Sequence, residues 1–204
     1  AVEVIKKCIE MGADQGVLLS DRAFAGSDTL ATSYILSTAV QKLMKKGPFN
    51  LVMCGKQAID GDTAQVGPGI ASRLKIPQLT YIERIIGIDI KEYKITVHRK
   101  LDDGYEVIES TLPCLLTIEK DINELSYSPL PDMIKAAKFS PAVWEAKDLD
   151  VDHALMGLKG SPTAVRKIFP PAKRCGGEIL KGSVTDNAKL ITDTLKGEIL
   201  KCRS

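Results

Sequence analysis

The sequence predicts an α/β fold in which helices cover both faces of a parallel sheet. Helices and strands alternate along residues 1–78, and this βαβα order is typical of parallel sheets. The apolar run Leu51-Val52-Met53-Cys54 has no polar alternation, as expected for a strand buried on both faces. A chain of 204 residues is long enough to bury a core and to carry an appendage.

Helical periodicity and stop signals place the first elements. Apolar residues keep helical spacing from Val4 to Ile9, so the chain opens inside a helix, and we expect an upstream strand to belong to the complete protein. A short apolar strand follows at 17–19. A long helix is predicted from Asp28-Thr29 to about residue 46, before Gly47-Pro48. A shorter helix is predicted over 67–74.

Beyond residue 79 the pattern changes to strands. Runs at 79–88, 93–101 and 105–110 predict an antiparallel region whose last turn is Asp102-Asp103-Gly104. A buried strand at 114–118 then closes a first α/β domain over 1–118. Residues 119–204 are predicted to form a second region that ends in an extended C-terminal arm, with helices near 131–138 and 185–200. The arm lies either on a partner subunit or as a loose tail on its own domain.

Composition narrows the possible functions. The chain is 44% hydrophobic and 26% charged, as in globular proteins, and its net charge of +2 gives no reason to expect nucleic acid. No apolar run is long enough for membrane insertion. Five cysteines without a CxxC pair indicate a reducing compartment. His98 and His153 are too few and too far apart to predict a metal site, and no residue pattern predicts a catalytic group.

The loop after the run at 51–54 carries the strongest chemical signal. It follows the carboxyl end of a predicted parallel strand and leads into a helix N-terminus, where free N–H groups favour phosphate. Its glycines let the backbone approach a ligand, and its polar side chains suit phosphate and ribose hydroxyls. The residues assigned to this site are Gly55, Lys56, Gln57, Ala58, Ile59, Asp60, Gly61, Asp62, Thr63, Ala64, Gln65 and Val66.

A solvated loop that only caps the next helix would use similar residues. Twelve residues is long for a βα connection, however, and this favours a binding role. The loop is neither a Walker A sequence nor a GxGxxG motif, so its chemistry alone indicates a phosphate-bearing ligand. Asp28-Thr29, at the start of the long helix, is either a second contact or a plain helix cap.

Several stretches resemble the β subunits of electron transfer flavoproteins. GKQAIDGDTAQVGP at 55–68 is similar to that family's adenine-nucleotide loop. VHRKLDDGYEVI at 97–108, with LPCLLT at 112–117, is similar to its hairpin and following strand. MGADQGVLLSD at 11–21 and LPDMIKAAK at 130–138 also fit. The resemblance implies a Rossmann-like fold of the adenine-nucleotide α-hydrolase type, with the N-terminal strand absent from this chain.

The resemblance also implies a function. Such a β subunit pairs with an α subunit whose FAD exchanges electrons with acyl-CoA dehydrogenases or other flavin dehydrogenases, and it acts in redox chemistry only with that subunit. It holds AMP itself, or a second FAD in members that bifurcate electrons and oxidise NADH. The segment TIEKDINELSY at 117–127 matches the family's dehydrogenase-recognition loop. By this match the recognition residues are Ile122, Asn123, Glu124 and Leu125. Ile122 stands at the position of the family's anchoring Leu.

Gly61 bears on the choice between the two nucleotides. Mitochondrial-type sequences resemble QAIDDD, whereas bifurcating anaerobes resemble the QAIDGD found here, so one carboxylate beside the phosphates is missing. Fewer like charges favour a second phosphate, and we therefore favour FAD over AMP and a cytoplasmic protein of an anaerobic bacterium. The alternatives are an ATP-pyrophosphatase-like enzyme, although residues 20–30 show no pyrophosphate loop, and a universal-stress-like ATP-binding module without redox role.

Overall fold

The computed structural model describes residues 1–59, 61–171, 177 and 179–201. The chain is divided into two compact units, residues 1–165 and residues 166–204. The helices are α1 (Val2–Glu10), α2 (Thr29–Met44), α3 (Val66–Leu74), α4 (Leu130–Lys138) and α5 (Val184–Lys201). The strands are β1 (Val17–Leu19), β2 (Leu51–Gly55), β3 (Gln78–Asp89), β4 (Lys94–Leu101), β5 (Gly104–Thr111), β6 (Cys114–Ile118) and β7 (Ala142–Trp144). The predicted α/β fold class is confirmed, with boundaries within a few residues of those expected.

Two sheets form within the first unit. The larger has the strand order β2-β6-β3-β4-β5, with parallel pairs at β2-β6 and β6-β3 and antiparallel pairs at β3-β4 and β4-β5. The smaller is a parallel pair of β1 and β7. The antiparallel strands are those predicted from the hairpin signal, and the strand order places β6 between two strands that precede it in the chain.

Pairing of β1 with β7 keeps the chain after β6 within the first unit. Leu18 lies opposite Val143, and beyond the strands the Asp21 carboxylate accepts a hydrogen bond from the Ala146 amide at 2.9 Å. Trp144 is buried against Ile35 and Ala39 of α2. The structural division therefore falls after Val165, well beyond the boundary expected after Ile118; the assignment of 119–204 to recognition and an arm stays a prediction.

The prediction that β2 is buried on both faces is wrong. Its residues are only partly covered, and the Met53 side chain is 50% exposed. Among the described residues β2 pairs only with β6. An apolar run reports the burial that a strand can have, whereas its neighbours decide the burial that it does have.

Helices α2 and α3 position the loop between β2 and α3. They pack so closely that a Cβ added at Gly69 would lie 2.7 Å from the Cβ of Ser33. On its other side α3 places Ile70 and Ala71 against Leu115 of β6. The N-terminus of α3 is thereby held at the carboxyl edge of the sheet.

Candidate functional site at the carboxyl edge of the sheet

The predicted nucleotide loop leaves the sheet beside the predicted recognition segment. Gly55, the last residue of β2, pairs with Ile118, the last residue of β6, and the two strands run parallel. The amide of Lys56 donates to the Ile118 carbonyl at 3.0 Å, which extends the pairing by one residue. The loop and the chain after Ile118 therefore start side by side, as expected for ligand sites in open α/β sheets.

The loop folds back on itself between the sheet and α3. The Asp62 amide donates to the Ala58 carbonyl at 3.0 Å, and the Gln57 side-chain amide donates to the Asp62 carboxylate. Asp62 and Ala64 have φ values of 44° and 53°, a left-handed conformation that is uncommon for residues other than glycine. Such strain is found preferentially at ligand sites.

The described residues leave room and N–H donors for a phosphate. Among them no heavy atom lies within 4 Å of a Cβ added at Gly55 or Gly61. The first amides of α3 have no acceptor within the helix, and Pro68 has no N–H to satisfy. Most of the loop is exposed, including the whole side chain of Ile59 at 103%. Asp60, also assigned to this site, lies outside the described residues. The residues present thus fit the phosphate of a bound ligand, and their assignment to an adenine nucleotide stays a prediction.

The Lys56 side chain, predicted to contact a bound phosphate, contacts two other residues of the protein. Its ammonium group forms an ion pair with Glu119 at 3.0 Å and lies 5.1 Å from the centre of the Tyr81 ring. The hydrogen bond with Glu119 is the main cause that raises the pKa of Lys56 above its usual value. The lysine is therefore charged throughout the neutral range, and the pair would be lost only as pH rises through that raised pKa.

Tyr81 lies beside Lys56 because of an irregularity in β3 that the sequence does not predict. It lies at a shift in the register between β3 and β6, and its φ of 59° is left-handed. Its amide donates at 3.1 Å to the hydroxyl of Thr117, a side chain that is 2% exposed. A strand-like run with a threonine and a tyrosine predicts regular alternation, and no local signal could have located the bulge.

The start of α2 shows a helix cap and a link to the loop. The Asp28 carboxylate accepts hydrogen bonds from the amides of Leu30 and Ala31, at 3.0 and 3.1 Å, so it caps the helix. The Thr29 hydroxyl donates to the Gln65 side chain at 3.0 Å and ties α2 to the end of the nucleotide loop. The other carboxylate oxygen of Asp28 accepts from the Thr163 hydroxyl at 2.9 Å and from its amide at 3.2 Å.

Asp28 provides a test of this arrangement. Burial raises its pKa, but the hydrogen bonds from Ala31, Thr163 and Leu30 outweigh burial, and the net pKa lies below the usual value. Its stabilising effect is therefore complete above about pH 4 and is lost as pH falls further, through the lowered folded-state pKa. We expect Asp28→Ala to reduce the free energy of unfolding by about 1–2 kcal/mol at neutral pH.

Urea unfolding of wild type and variants between pH 7 and pH 3 measures this effect. The difference between wild type and Asp28→Ala should narrow below about pH 4. Asp28→Asn is the matched control, because an amide oxygen can still cap α2 while its NH₂ cannot accept from Thr163, so its loss should be smaller. A difference that does not change with pH would contradict the role of the carboxylate.

The recognition residues are divided by the structure. Glu119 immediately precedes a short 3₁₀ turn at Lys120–Ile122, and Ile122 is half-buried against the core cluster of Leu79 and Ile82. Asn123 and Glu124 are exposed, and the Leu125 side chain is 77% exposed. Of the four residues Ile122 alone lies partly against its own core, and their recognition role stays a prediction.

Comparison with known proteins decides the family. The family model described as the electron transfer flavoprotein domain matches residues 1–149. The chain belongs to the electron transfer flavoprotein family. This confirms the resemblance recognised in the nucleotide loop and the hairpin.

Three curated relatives are similar to most of this chain. It is 47% identical to Protein FixA of Azotobacter vinelandii over 85% of this chain and 62% of the relative. It is 45% identical to the caffeyl-CoA reductase–Etf complex subunit CarD of Acetobacterium woodii, over 91% and 69%. It is 44% identical to the electron transfer flavoprotein subunit beta of Megasphaera elsdenii, over 98% and 74%. The chain thus spans about two thirds of the length of these curated relatives.

Across residues 1–59, 61–171, 177 and 179–201 no group of three or more metal-ligating side chains comes together. No helix within the same ranges has the length and apolar character needed to cross a bilayer.

Proposed function

We propose that this chain acts in the β subunit of a heterodimeric electron transfer flavoprotein. In this proposal the loop at 55–66 holds an adenine nucleotide, FAD in preference to AMP. The observation that carries it is the loop itself, a family-matched segment that leaves the carboxyl end of β2 in the parallel part of the sheet and enters the N-terminus of α3. Membership of this family does not favour the alternative, an ATP-binding module or adenine-nucleotide enzyme without a redox role.

The protein's part in such chemistry is binding and orientation. A bound FAD would supply the electron-transfer chemistry. The amides at the start of α3 would receive the phosphates, Gly55 and Gly61 would let the backbone approach them, and Thr29 with Gln65 would hold the loop against α2. No side chain is required as nucleophile or general base.

The C-terminal unit supports the proposed α-subunit partner. Within α5 the side chains of Leu190, Ile191 and Leu195 are each half exposed or more. An isolated helix with such apolar groups gains stability by burying them on another surface. We propose that the arm lies on the α subunit, and that the heterodimer passes electrons to an acyl-CoA dehydrogenase-like or other flavin dehydrogenase in the bacterial cytoplasm.

Identification of the released nucleotides tests the function. The chain is purified with its α subunit, the complex is denatured, and the supernatant is analysed by chromatography. Two FAD per heterodimer would support FAD in the β subunit and electron bifurcation; one FAD and one AMP would support the simple carrier. Bound ATP without flavin would overturn the electron-transfer proposal.

Gly61 provides a sharper test of the preference for FAD. We expect Gly61→Asp to lower FAD affinity about tenfold relative to AMP affinity, because a carboxylate placed beside the second phosphate, which only FAD has, repels that phosphate by roughly 1–2 kcal/mol. Space allows the change, since a Cβ at Gly61 meets no heavy atom within 4 Å.

Gly61→Ala is the matched control, because it adds the Cβ without the charge. Titration of the nucleotide-free heterodimer with each nucleotide gives the two dissociation constants. An equal loss of affinity for FAD and AMP in Gly61→Asp would contradict an electrostatic basis for the preference.

A further inference from the structure

Lys56 and Glu119 join the two functional segments that leave the sheet side by side. Lys56 is the first residue after β2 in the nucleotide loop, and Glu119 is the first residue after β6 in the recognition segment. Their side chains meet at 3.0 Å, directly beyond the paired residues Gly55 and Ile118. An ion pair at this point connects the segments through side chains as well as through the backbone.

The pair is sheltered compared with other ion pairs of the same sheet. The side chain of Lys56 is 30% exposed and that of Glu119 is 14% exposed, whereas the Lys94–Glu109 pair is 46% and 56% exposed. The Tyr81 ring lies beneath the ammonium group, and the Glu119 amide is held by the Ile82 carbonyl at 2.9 Å. Partial exclusion of water strengthens the attraction relative to a surface pair.

Each end of the pair acts on its own segment. At one end the pKa of Lys56 is raised mainly by the hydrogen bond with Glu119, and the Asp62 carboxylate of the nucleotide loop adds a smaller effect in the same direction. At the other end Glu119 precedes the turn that sets Ile122 against the core, and the Ile122 amide donates to the Glu119 carbonyl at 3.3 Å.

We propose that Glu119 is a positioning residue for Lys56, and that a phosphate group bound in the loop competes with Glu119 for the Lys56 ammonium. The inference rests on the proposed nucleotide binding. A phosphate that draws the Lys56 ammonium toward itself lengthens the contact with Glu119, so nucleotide binding weakens the hold on the turn at Lys120–Ile122. Linkage requires the reverse effect as well: a firmly held turn lowers nucleotide affinity.

AMP is the probe, titrated into the heterodimer after its nucleotide has been removed. We expect Glu119→Gln to tighten AMP binding about two- to fivefold, because Lys56 no longer has to leave an anionic partner. Glu109→Gln is the matched control: it breaks the Lys94 pair, which contacts neither segment, and leaves AMP affinity unchanged. A weaker affinity for AMP in Glu119→Gln would overturn the inference, since it would show that Glu119 only supports the fold.

Removal of a negative charge near a phosphate could also tighten binding by itself. A double-mutant cycle separates this effect, because competition requires Lys56. In a Lys56→Gln background, Glu119→Gln should leave AMP affinity unchanged. Tightening of the same size with and without Lys56 would overturn the competition. Glu119→Asp keeps the charge on a shorter side chain and should fall between wild type and Glu119→Gln, which retains the test if the amide variant is poorly folded.

Hydrogen exchange reads the recognition segment directly. AMP should speed exchange at the Ile122 amide about two- to fivefold in wild type. In Glu119→Gln exchange should already be faster, with no further response to AMP. Binding of AMP to wild type without this change would overturn the inference and leave the proposed function standing. Absence of AMP and FAD binding would overturn the proposed function, and the inference with it.

Discussion

Replacement of Gly67 by valine is expected to destabilise the protein by about 2–4 kcal/mol and to weaken nucleotide binding at least tenfold. Gly67 is buried in the first turn of α3, where an added Cβ would lie 2.5 Å from the Thr117 methyl and 3.5 Å from Leu115. Thr117 cannot turn away freely, because its buried hydroxyl accepts the Tyr81 amide. The helix must therefore move off the sheet, and its N-terminus moves with it.

Gly47→Val is the matched control, because a Cβ there meets no heavy atom within 4 Å. The contact itself is isolated by Gly67→Ala with and without Thr117→Ser, which removes the offending methyl and keeps the hydroxyl. Urea unfolding and AMP titration give the two readouts. Equal stability losses in Gly67→Val and Gly47→Val would refute the close packing of α3 on β6.

Gly157→Ala is expected to reduce the free energy of unfolding by about 2–4 kcal/mol. Gly157 has a φ of 60°, and an added Cβ would lie 2.3 Å from the carbonyl oxygen of Ala23. The neighbour is backbone and cannot rotate aside. The Gly157 amide also donates a hydrogen bond to the Ser27 hydroxyl at 3.1 Å. The substitution would therefore displace the segment whose Thr163 binds Asp28.

Gly12→Ala separates the two causes in this prediction. Gly12 has a φ of 106°, but a Cβ there meets no heavy atom within 4 Å. It should therefore show only the conformational part, about 1–2 kcal/mol, and the remainder at Gly157 is the clash. Thermal or urea unfolding of both variants gives the comparison. A loss at Gly157 no larger than that at Gly12 would contradict the close approach to Ala23.

Local sequence patterns correctly predicted those elements whose structure depends mainly on their own residues. The turn at Asp102-Asp103-Gly104 joins β4 and β5 as expected, since Gly104 takes a φ of 158° that other residues rarely adopt. The apolar run Cys114 to Ile118 forms β6, whose first four residues are buried. Periodicity works here because these elements obey their own local geometry.

Contacts between distant residues escaped prediction. The sequence signal for the loop correctly placed it after a strand and before a helix, yet it indicated no protein partner for Lys56. The partner Glu119 lies 63 positions along the chain, brought beside it by the parallel pairing of β2 with β6. In the same way β1 and β7 are only three residues each, too short for their pairing to be predicted from either strand.

The sequence by itself determined the alternation of helices and strands, the loop at 55–66 and the family. These follow from local periodicity, turn chemistry and recognisable strings, which need no knowledge of the fold. Only the tertiary structure decided that β6 enters between β2 and β3, that β2 is partly exposed, and that Lys56 is held by Glu119 over Tyr81. Strand order and side-chain partners depend on residues far apart in the chain, so only the assembled sheet could reveal them.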